Sequence, residues 1–376
     1  MKSFEDHTSN AFTEHDLVLF AHLMGPMMNK EDRRTPSPSN PLTSDEIASR
    51  RLTMDYPITG IEGGLTPHDG SFEEKMVAAG AKPGSKSSYP VSWVDKMPGP
   101  SFNTSSDYCH AGGHLRDIDG AVCGDCNVHY NKRYGAPTVQ NAMERRYQQM
   151  MSNPVEWGRA MVSLIPAYSM MSKTGRTPLS PIAAQGNYPD IEGRMGYMRW
   201  HDSGDLQGPQ HLALLSDIAR ATPSVNHWIP TKDANFVNQY LKAGGQIPKN
   251  LIVRLSSPMI GQGPTDAIEH PQVKTSTVGR SQLDPNYKGK VCPASKKGSE
   301  GCIGEECNAC WQTDFDNIDY ELELGQKGAD PFATKLSPKI IEEIYDNYMQ
   351  NEDSFKRISQ TDVGRSVLDS ILNRGQ

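Results

Sequence analysis

Seven cysteines stand in two tight groups along the 376-residue chain, and their thiols are the side chains best suited to chemistry. The first cysteine group is Cys109, Cys123 and Cys126, and the second cysteine group is Cys292, Cys302, Cys307 and Cys310. Seven cysteines are too few for a disulfide scaffold, and an odd number suits a reducing compartment. Two compact groups in such a compartment indicate metal ligation by thiolates.

The second cysteine group is the stronger of the two metal signals. Its four cysteines lie within residues 292–310, in the stretch CPASKKGSEGCIGEECNAC, which has almost no apolar residues to explain it as core. Thiolates in such a stretch bind zinc or an iron–sulfur cluster. Zinc ribbons usually have two Cys-x2-Cys pairs, whereas only Cys307 and Cys310 form one here. The irregular spacing and the Cys292-Pro293 opening therefore favour an iron–sulfur cluster, most simply 4Fe–4S, with zinc as the alternative.

The first cysteine group resembles a metal knuckle. Cys123 and Cys126 are two residues apart, so both thiolates can reach one ion, with a glycine between them that relaxes the backbone. A nitrogen ligand could come from His110, His114 or His129. The alternative interpretation is that these are buried free cysteines beside solvated histidines, since cysteine is often buried without binding anything.

The elements that must position these residues follow a regular alternation. Apolar runs at 197–200, 227–229 and 251–255 predict strands, and amphipathic patterns at 209–220 and 234–241 predict helices between them. Repeated βα units of this length require parallel strands joined by right-handed crossovers. Two further helices are predicted before the first of these strands, at 139–151 and 154–165.

Polar residues follow the ends of the predicted strands. His201 and Asp202 come directly after one strand, and Lys232 comes after the next. Because ligands bind at the carboxyl ends of parallel strands, these three residues are the candidates to bind or protonate a ligand. The alternative is ordinary loop polarity with helix caps, a role that Asp205 and Asp233 could fill.

The same strand order favours a TIM-like (βα) barrel, complete or incomplete. An open doubly wound sheet needs a reversal of strand order, and no glycine-rich phosphate loop marks one. The chain is short of the ~250 residues typical of eight units. In such a sheet we expect Trp228 to lie beside Trp200 and Val253. We also expect both cysteine groups to lie over one mouth of the barrel, as two sites or as one shared site.

Composition, together with the pattern of strands and helices, divides the chain into three predicted regions. They are a proline-rich, loosely ordered N-terminal extension at 1–90, a cysteine-ligated βα barrel domain at 91–312, and an acidic loop with C-terminal helices at 313–376. The C-terminal helices are expected near 338–350 and 361–373, where they would cap the main domain.

Charge and hydropathy exclude several classes of protein. The chain has 38 basic and 45 acidic side chains and a formal charge of −7, so a dedicated nucleic-acid binder is disfavoured. No run approaches the ~18–20 apolar residues of a membrane span, and the N-terminus lacks the layout of a signal peptide. We therefore expect a cytoplasmic protein without membrane contact, and its small-molecule or protein partner is not identified by the sequence.

Three stretches together resemble a known family. CHAGGHLRDIDGAVCGDCNVHYNKRY at 109–134, RWHDSGDL at 199–206 and CPASKKGSEGCIGEECNACW at 292–311 are similar to the phage "gene product 88" domain proteins. The resemblance covers about residues 100–312. It implies a phage or prophage origin, a place in the host cytoplasm, and an iron–sulfur-type, TIM-barrel-like fold similar to the radical S-adenosylmethionine enzymes.

Two functional hypotheses follow. The first is a phage-encoded iron–sulfur protein that performs redox or radical-type chemistry, in which three thiolates of the first cysteine group leave an iron with an open position for a substrate or small cofactor. The second is a zinc-stapled structural or interaction protein without catalysis. In the second hypothesis the cysteines stabilise the fold, and the N-terminal extension recruits a partner.

Overall fold

The computed structural model describes part of the chain. The described residues are 44–321 except 86–88, 94–96, 117, 119, 125, 127, 129–133, 170–195, 266, 267, 285 and 297. His129 and the two helices expected near 338–350 and 361–373 lie outside the described residues, as does the first part of the expected N-terminal extension.

The strands of the described part form one sheet. They are β1 (Ser92–Trp93), β2 (Pro100–Phe102), β3 (Gly196–Trp200), β4 (Val225–Thr231), β5 (Leu251–Ser256), β6 (Val273–Val278), β7 (Lys290–Val291) and β8 (Asn317–Tyr320). Their order across the sheet is β1-β2-β3-β4-β5-β6-β8-β7. β1 runs antiparallel to β2, and every other pair is parallel. The predicted α/β fold with a parallel sheet is therefore confirmed.

Four of the described helices agree closely with the expected positions, and the others were not predicted. The described helices are α1 (Ser44–Arg50), α2 (Phe72–Ala78), α3 (His110–Leu115), α4 (Pro137–Ser152), α5 (Pro154–Tyr168), α6 (Pro209–Ala221), α7 (Ala234–Lys242), α8 (Arg280–Leu283) and α9 (Gly301–Gly304). The four predicted helices are α4 to α7. Pro137, Pro154 and Pro209 each begin a helix. A proline suits this position because its fixed φ matches the helix and its missing N–H would have no partner there. Helices α5, α6 and α7 then pack side by side.

The sheet has two faces with different coverings. Met198, Trp200 and Ile229 belong to the main core beneath the helices, and we name this side the helix face. Tyr197 and Trp228 lie in a smaller cluster with residues of the second cysteine group, and we name this side the cysteine face. Because successive side chains of a strand point to opposite faces, neighbouring residues of β3 and β4 are divided between the two.

The register differs by one residue from the expected one. Trp228 pairs with Arg199 and Ile252, and not with Trp200 and Val253. A shift of one residue moves a side chain to the other face of the sheet. Trp228 therefore lies on the cysteine face, whereas Trp200 lies on the helix face.

Closure of the sheet into a barrel is not observed. The sheet has two edges, β1 and β7, and no pairing joins them in the described part of the chain. A closed barrel requires its first and last strands to pair along their length. Here each edge strand is only two residues long, and β1 runs antiparallel to its neighbour. The sheet is therefore open.

Residues 51–85 correct the expected boundary of the N-terminal extension. Met54, Tyr56 and Leu65 are buried in the main core. The hydroxyl of Tyr56 donates to Oδ2 of Asp217 at 2.6 Å, which ties this segment to α6. Proline content disfavours regular periodicity but does not prevent isolated apolar side chains from packing. The packed core therefore begins well before the expected position of 91.

Candidate functional site

The second cysteine group is built from the segment between β7 and β8. Cys292 follows β7 directly, Cys302 lies in α9, and Cys310 lies in a single 3-10 turn at 309–311. The N–H of Cys307 donates to the carbonyl of Cys302 at 2.9 Å, which folds this segment back on itself. Cys292 and Cys310 are buried on the cysteine face. Short helical turns between strands thus bring four thiols to one side of the sheet.

The four thiols of the second cysteine group are electrostatic neighbours. The pKa of Cys302 is raised to about 12, first by burial and then by the charges of the other three thiols. The pKa of Cys310 is raised to about 11, mainly by burial, although the nearby Arg254 opposes the rise. Without a bound ion, Cys302 and Cys310 are therefore protonated at neutral pH.

Arg254 holds the loop that carries Cys310. This arginine is fully buried on β5, and all of its guanidinium nitrogens donate to main-chain carbonyls. The acceptors are the carbonyls of Ala309 at 3.0 Å, Cys310 at 3.1 Å, Gln312 at 2.8 Å, Phe315 at 3.0 Å and Thr275 at 3.2 Å. Arg254 therefore fixes the position of the 309–315 loop over the sheet.

A second arginine lies beside the same thiols. The guanidinium carbon of Arg199 is 4.9 Å from the centre of the Trp228 ring, a cation–π contact. Its charge acts to lower the pKa of Cys302. Neither Arg199 nor Arg254 makes an ion pair with a carboxylate among the described residues. Two cations thus adjoin the second cysteine group without a carboxylate to balance them.

The first cysteine group lies at the carboxyl edge of the sheet. Cys109 precedes α3, and the N–H of Val122 donates to the carbonyl of Pro258, just beyond β5, at 2.8 Å. A methyl group placed on Gly112 would lie 3.7 Å from Sγ of Cys109 and 3.4 Å from Sγ of Cys123. The glycine therefore leaves room for the two thiols to approach each other over α3.

Lys232 is the predicted acid–base candidate that joins the first cysteine group. Its Nζ donates to the carbonyl of Ser257 at 3.1 Å. Burial lowers the pKa of Lys232, while the charges of all three thiols of the first group, together with that of Asp205, oppose this effect. The amine, the thiols and a carboxylate therefore share one buried environment at the ends of β4 and β5.

Asp205 and Asp233 form a carboxylate pair at this edge, and not the helix caps that their positions suggested. The pKa of Asp205 is raised to about 7, first by burial and then by the charge of Asp233. Asp233 precedes α7 but its side chain makes no capping hydrogen bond. Its Oδ1 lies 3.1 Å from Nδ1 of His110, and its Oδ2 is buried without a partner in the described residues. The edge can therefore hold or transfer a proton.

His201 and Asp202 have other surroundings. His201 is buried in a left-handed backbone conformation, with φ of 58°, and its ring lies edge-on to His211 at 5.3 Å. Burial lowers the pKa of His201 to about 3. Oδ2 of Asp202 accepts a hydrogen bond from the hydroxyl of Tyr134 at 3.1 Å. His201 is therefore neutral at physiological pH and poorly suited to exchange protons with solvent.

The two cysteine groups have separate surroundings. The thiols of the first group interact with one another, with Asp205 and with Lys232. Those of the second group interact with one another, with Arg199 and with Arg254. These environments favour two sites over the shared site. Among the described residues, no three or more His, Cys, Asp or Glu side chains are arranged to hold a metal ion.

Sequence reasoning missed Arg199 as a neighbour of the thiols, and it did not give Arg254 its role in holding the 309–315 loop. Arg254 is the fourth residue of the apolar run LIVRLS, and Arg199 lies in GYMRW. A lone arginine inside a predicted buried strand was the available signal, because charged side chains are seldom fully buried unless they have partners. His211 gave no comparable signal, since a histidine on an amphipathic helix is common.

The fold and these groups define an α/β protein with an open, mainly parallel sheet and two sets of cysteines that form no disulfide. A family model described as gene product 88 matches residues 74–312, so the chain belongs to the gene product 88 family. This confirms the resemblance of its motifs to that phage family. No curated protein and no solved structure matches the chain. No helix in the described ranges is long and apolar enough to cross a lipid bilayer.

Proposed function

We propose that the protein is a metal–thiolate protein in which the second cysteine group holds an iron–sulfur cluster of the 4Fe–4S type. The observation that carries this proposal is that Cys310, one of the four neighbouring thiols, adjoins Arg254, a fully buried cation that has no carboxylate partner among the described residues. A buried cation is destabilising unless a nearby negative charge balances it. Protonated thiols do not supply that charge, whereas thiolates bound to a metal do.

The chemistry of the donor set supports the proposal. Four cysteine thiolates are the usual ligands of an iron–sulfur cluster, and nearby hydrogen bonds and charges tune its potential. The hydroxyl of Tyr320 lies 3.3 Å from Sγ of Cys310 and can serve this purpose. As described, the side chains are not arranged to hold an ion. The proposal therefore requires them to rotate towards a common centre, while Arg254 keeps the 309–315 loop in place.

The first cysteine group is proposed as a second metal-binding set. Its three thiols leave a coordination position open, and a bound cluster would supply one-electron or radical-type chemistry there. Lys232 is the best placed of the three acid–base candidates, because it adjoins these thiols. His201 ranks below it because the charges that act on its ring include no thiol of this group, and Asp202 ranks below it because its carboxylate accepts hydrogen bonds from Tyr134 and Asn103 instead.

The zinc-stapled interpretation is the second candidate function. Arg254 donates hydrogen bonds to four main-chain carbonyls of the 309–315 loop and to that of Thr275 on β6, and so many hydrogen bonds from one side chain are typical of a structural element. Cys307 and Cys310 also have the two-residue spacing of a zinc knuckle. In this case the metal stabilises the fold and performs no reaction.

An incomplete (βα) barrel as the fold, and the host cytoplasm as the location, are also part of the proposal. Strands β2 to β6 follow chain order, and α5, α6 and α7 cover one face, as in part of a (βα) barrel. We therefore infer an incomplete barrel. A phage-encoded protein whose seven cysteines form no disulfide would work in the reducing cytoplasm of the host.

Metal analysis of the full-length protein tests which metal is present. The protein is purified anaerobically, and its visible absorption, iron, acid-labile sulfide and zinc are measured. The proposal predicts a brown protein with iron and sulfide in equal amounts. A colourless protein with stoichiometric zinc supports the structural alternative, and a folded protein without either metal refutes both.

A further inference from the structure

Three polar side chains stand in one row across neighbouring strands. Ser101 of β2 pairs with Arg199 of β3, and Arg199 pairs with Trp228 of β4, all in parallel register. Residues paired in register point to the same face of a sheet. The hydroxyl, the guanidinium and the indole therefore lie next to one another on the cysteine face. We name this set the Ser101–Arg199–Trp228 row.

Each member of this row has a buried polar atom without a hydrogen-bond partner in the described part of the chain. The atoms are Oγ of Ser101, Nε of Arg199 and Nε1 of Trp228. Ser101 is fully buried, and Trp228 is only 4% exposed. An unpaired buried donor costs about 1–3 kcal/mol, so such groups are rare in folded proteins. Three of them side by side point to one bound partner, which none of the described residues supplies.

The chemistry of the three groups identifies the kind of partner. Indole and guanidinium nitrogens only donate hydrogen bonds, and a hydroxyl can also donate. The partner must therefore accept hydrogen bonds. Among the described residues, the one hydrogen bond of the Arg199 guanidinium is a long contact of 3.5 Å from Nη1 to Sδ of Met97. Its charge also lacks a carboxylate partner, which indicates an anion, because a water molecule would satisfy the donors without balancing the charge.

The geometry of Arg199 narrows the class of anion. Its guanidinium lies over the Trp228 ring, so the ring covers one side of the group. The edge that carries Nε is then free to donate. A guanidinium edge can form two parallel hydrogen bonds with a carboxylate or with a phosphate, and of these two anions the carboxylate is the planar one. Sulfate and phosphate are tetrahedral and bulkier, and the unpaired atoms here are sealed from bulk water.

We propose that the Ser101–Arg199–Trp228 row binds the carboxylate of a small organic anion beside the second cysteine group. Arg199 is a charged neighbour of Cys302, and Trp228 packs in the same cluster as Cys292 and Cys310. The inference deepens the proposed function, since it names the class of molecule held next to the metal–thiolate centre. Binding of the anion itself does not require the metal.

Anion titration of the full-length protein tests this proposal. The protein is prepared in a buffer free of carboxylates, and acetate, sulfate and inorganic phosphate are each titrated at constant ionic strength set with chloride. Melting temperature and tryptophan fluorescence are recorded. Acetate is expected to raise the melting temperature saturably and to change the fluorescence, with sulfate and phosphate giving much weaker responses.

Single substitutions test whether acetate binds at the Ser101–Arg199–Trp228 row. Arg199→Gln should weaken acetate binding about 10-fold or more, because it removes charged hydrogen bonds. Trp228→Phe keeps an aromatic ring, removes the indole N–H and should weaken binding by a smaller factor. The control is Arg159→Gln, which removes an arginine that pairs with the exposed Asp69 on the helix side of the fold. It should bind acetate as the wild type does.

Three results would overturn the proposal. They are equal responses to all anions including chloride, unchanged acetate binding in the Arg199 and Trp228 variants, and a preference for sulfate or phosphate. If Arg199→Gln does not fold, Trp228→Phe and Ser101→Ala decide the question alone. Metal content is measured on the same preparations. Metal-free protein that still binds acetate would count against the proposed function only, and metal-loaded protein that does not bind it would count against the row only.

Discussion

The guanidinium of Arg254 donates through Nε to the main-chain carbonyl of Cys310 at 3.1 Å, so a buried cation on β5 holds a thiol-bearing loop in place. The same side chain donates to four other carbonyls. Hydrogen bonds of this kind place the loop whether or not a metal is bound. Because these carbonyls are neutral acceptors, the positive charge of Arg254 remains to be balanced by the second cysteine group. This need for a negative charge is the basis of the proposed metal–thiolate centre.

Replacement of Arg254 by methionine should destabilise the protein by about 3 kcal/mol or more. Five main-chain carbonyls would lose their donor, three of them in buried hydrogen bonds, and each buried unsatisfied group costs free energy. Urea unfolding gives the change directly. Arg159→Met is the matched control, since its ion pair with Asp69 is exposed and should contribute less than about 1 kcal/mol. Equal losses in the two variants would show that Arg254 does not hold the loop.

Gly112→Ala should disturb the first cysteine group. The new methyl group would lie 3.1 Å from Cβ of Cys109 and 3.4 Å from Sγ of Cys123, so one of the two cysteines must move. We expect lower stability and faster reaction of these thiols with a thiol reagent. Gly113→Ala is an internal control, because nothing lies within 4 Å of its added methyl group. It should be neutral or stabilising by up to about 1 kcal/mol. A Gly112 variant that behaves like the Gly113 variant would contradict the placement of the thiols.

Tyr56→Phe should cost about 1–2 kcal/mol of stability. The variant removes the hydrogen bond to Oδ2 of Asp217, a carboxylate that is almost completely buried. Thermal or urea unfolding measures the loss, and a double-mutant cycle with Asp217→Asn isolates the pair. An unchanged stability would mean that residues 51–65 do not belong to the core.

The buried His201 should make stability depend on pH. Its pKa is about 3 in the folded protein, below the ordinary value of 6.5, so the unfolded chain binds the proton more strongly. The contribution is fully present above pH 6.5 and is lost as the pH falls towards 3, at up to about 1.4 kcal/mol per pH unit. His201→Asn removes the titrating ring, and Asn tolerates the left-handed backbone at this position. The variant should lose stability less steeply on acidification. Parallel curves for the two proteins would exclude this role for His201.

The order of elements could be predicted from the sequence because it depends on local patterns. The alternation of strands and helices between 197 and 255 is a local signal, and the structure confirms it. The prolines at the starts of α4, α5 and α6 are local signals of the same kind. The two cysteine groups were also visible as spacing. The spacing did not show which thiols share an environment, since that depends on how separate loops fold over the sheet.

Features that depend on long-range packing were missed. The register of Trp228 is set by its neighbours across the sheet, and an error of one residue hid the Ser101–Arg199–Trp228 row. Barrel closure depends on the edge strands, and β1 and β7 are too short to be recognised in the sequence. Residues 51–85 lack a regular period, so the burial of Met54, Tyr56 and Leu65 could not be anticipated.

The metal content of single cysteine variants tests the central claim most directly. Cys302→Ser and Cys310→Ser each remove one thiolate of the second cysteine group, whereas Cys109→Ser leaves that group intact. After anaerobic purification, iron and acid-labile sulfide per chain are measured in each variant and in the wild type. The proposal predicts that both second-group variants lose about four iron atoms per chain, the content of one 4Fe–4S cluster, and that Cys109→Ser retains that iron. Wild-type iron content in both second-group variants would contradict the proposal.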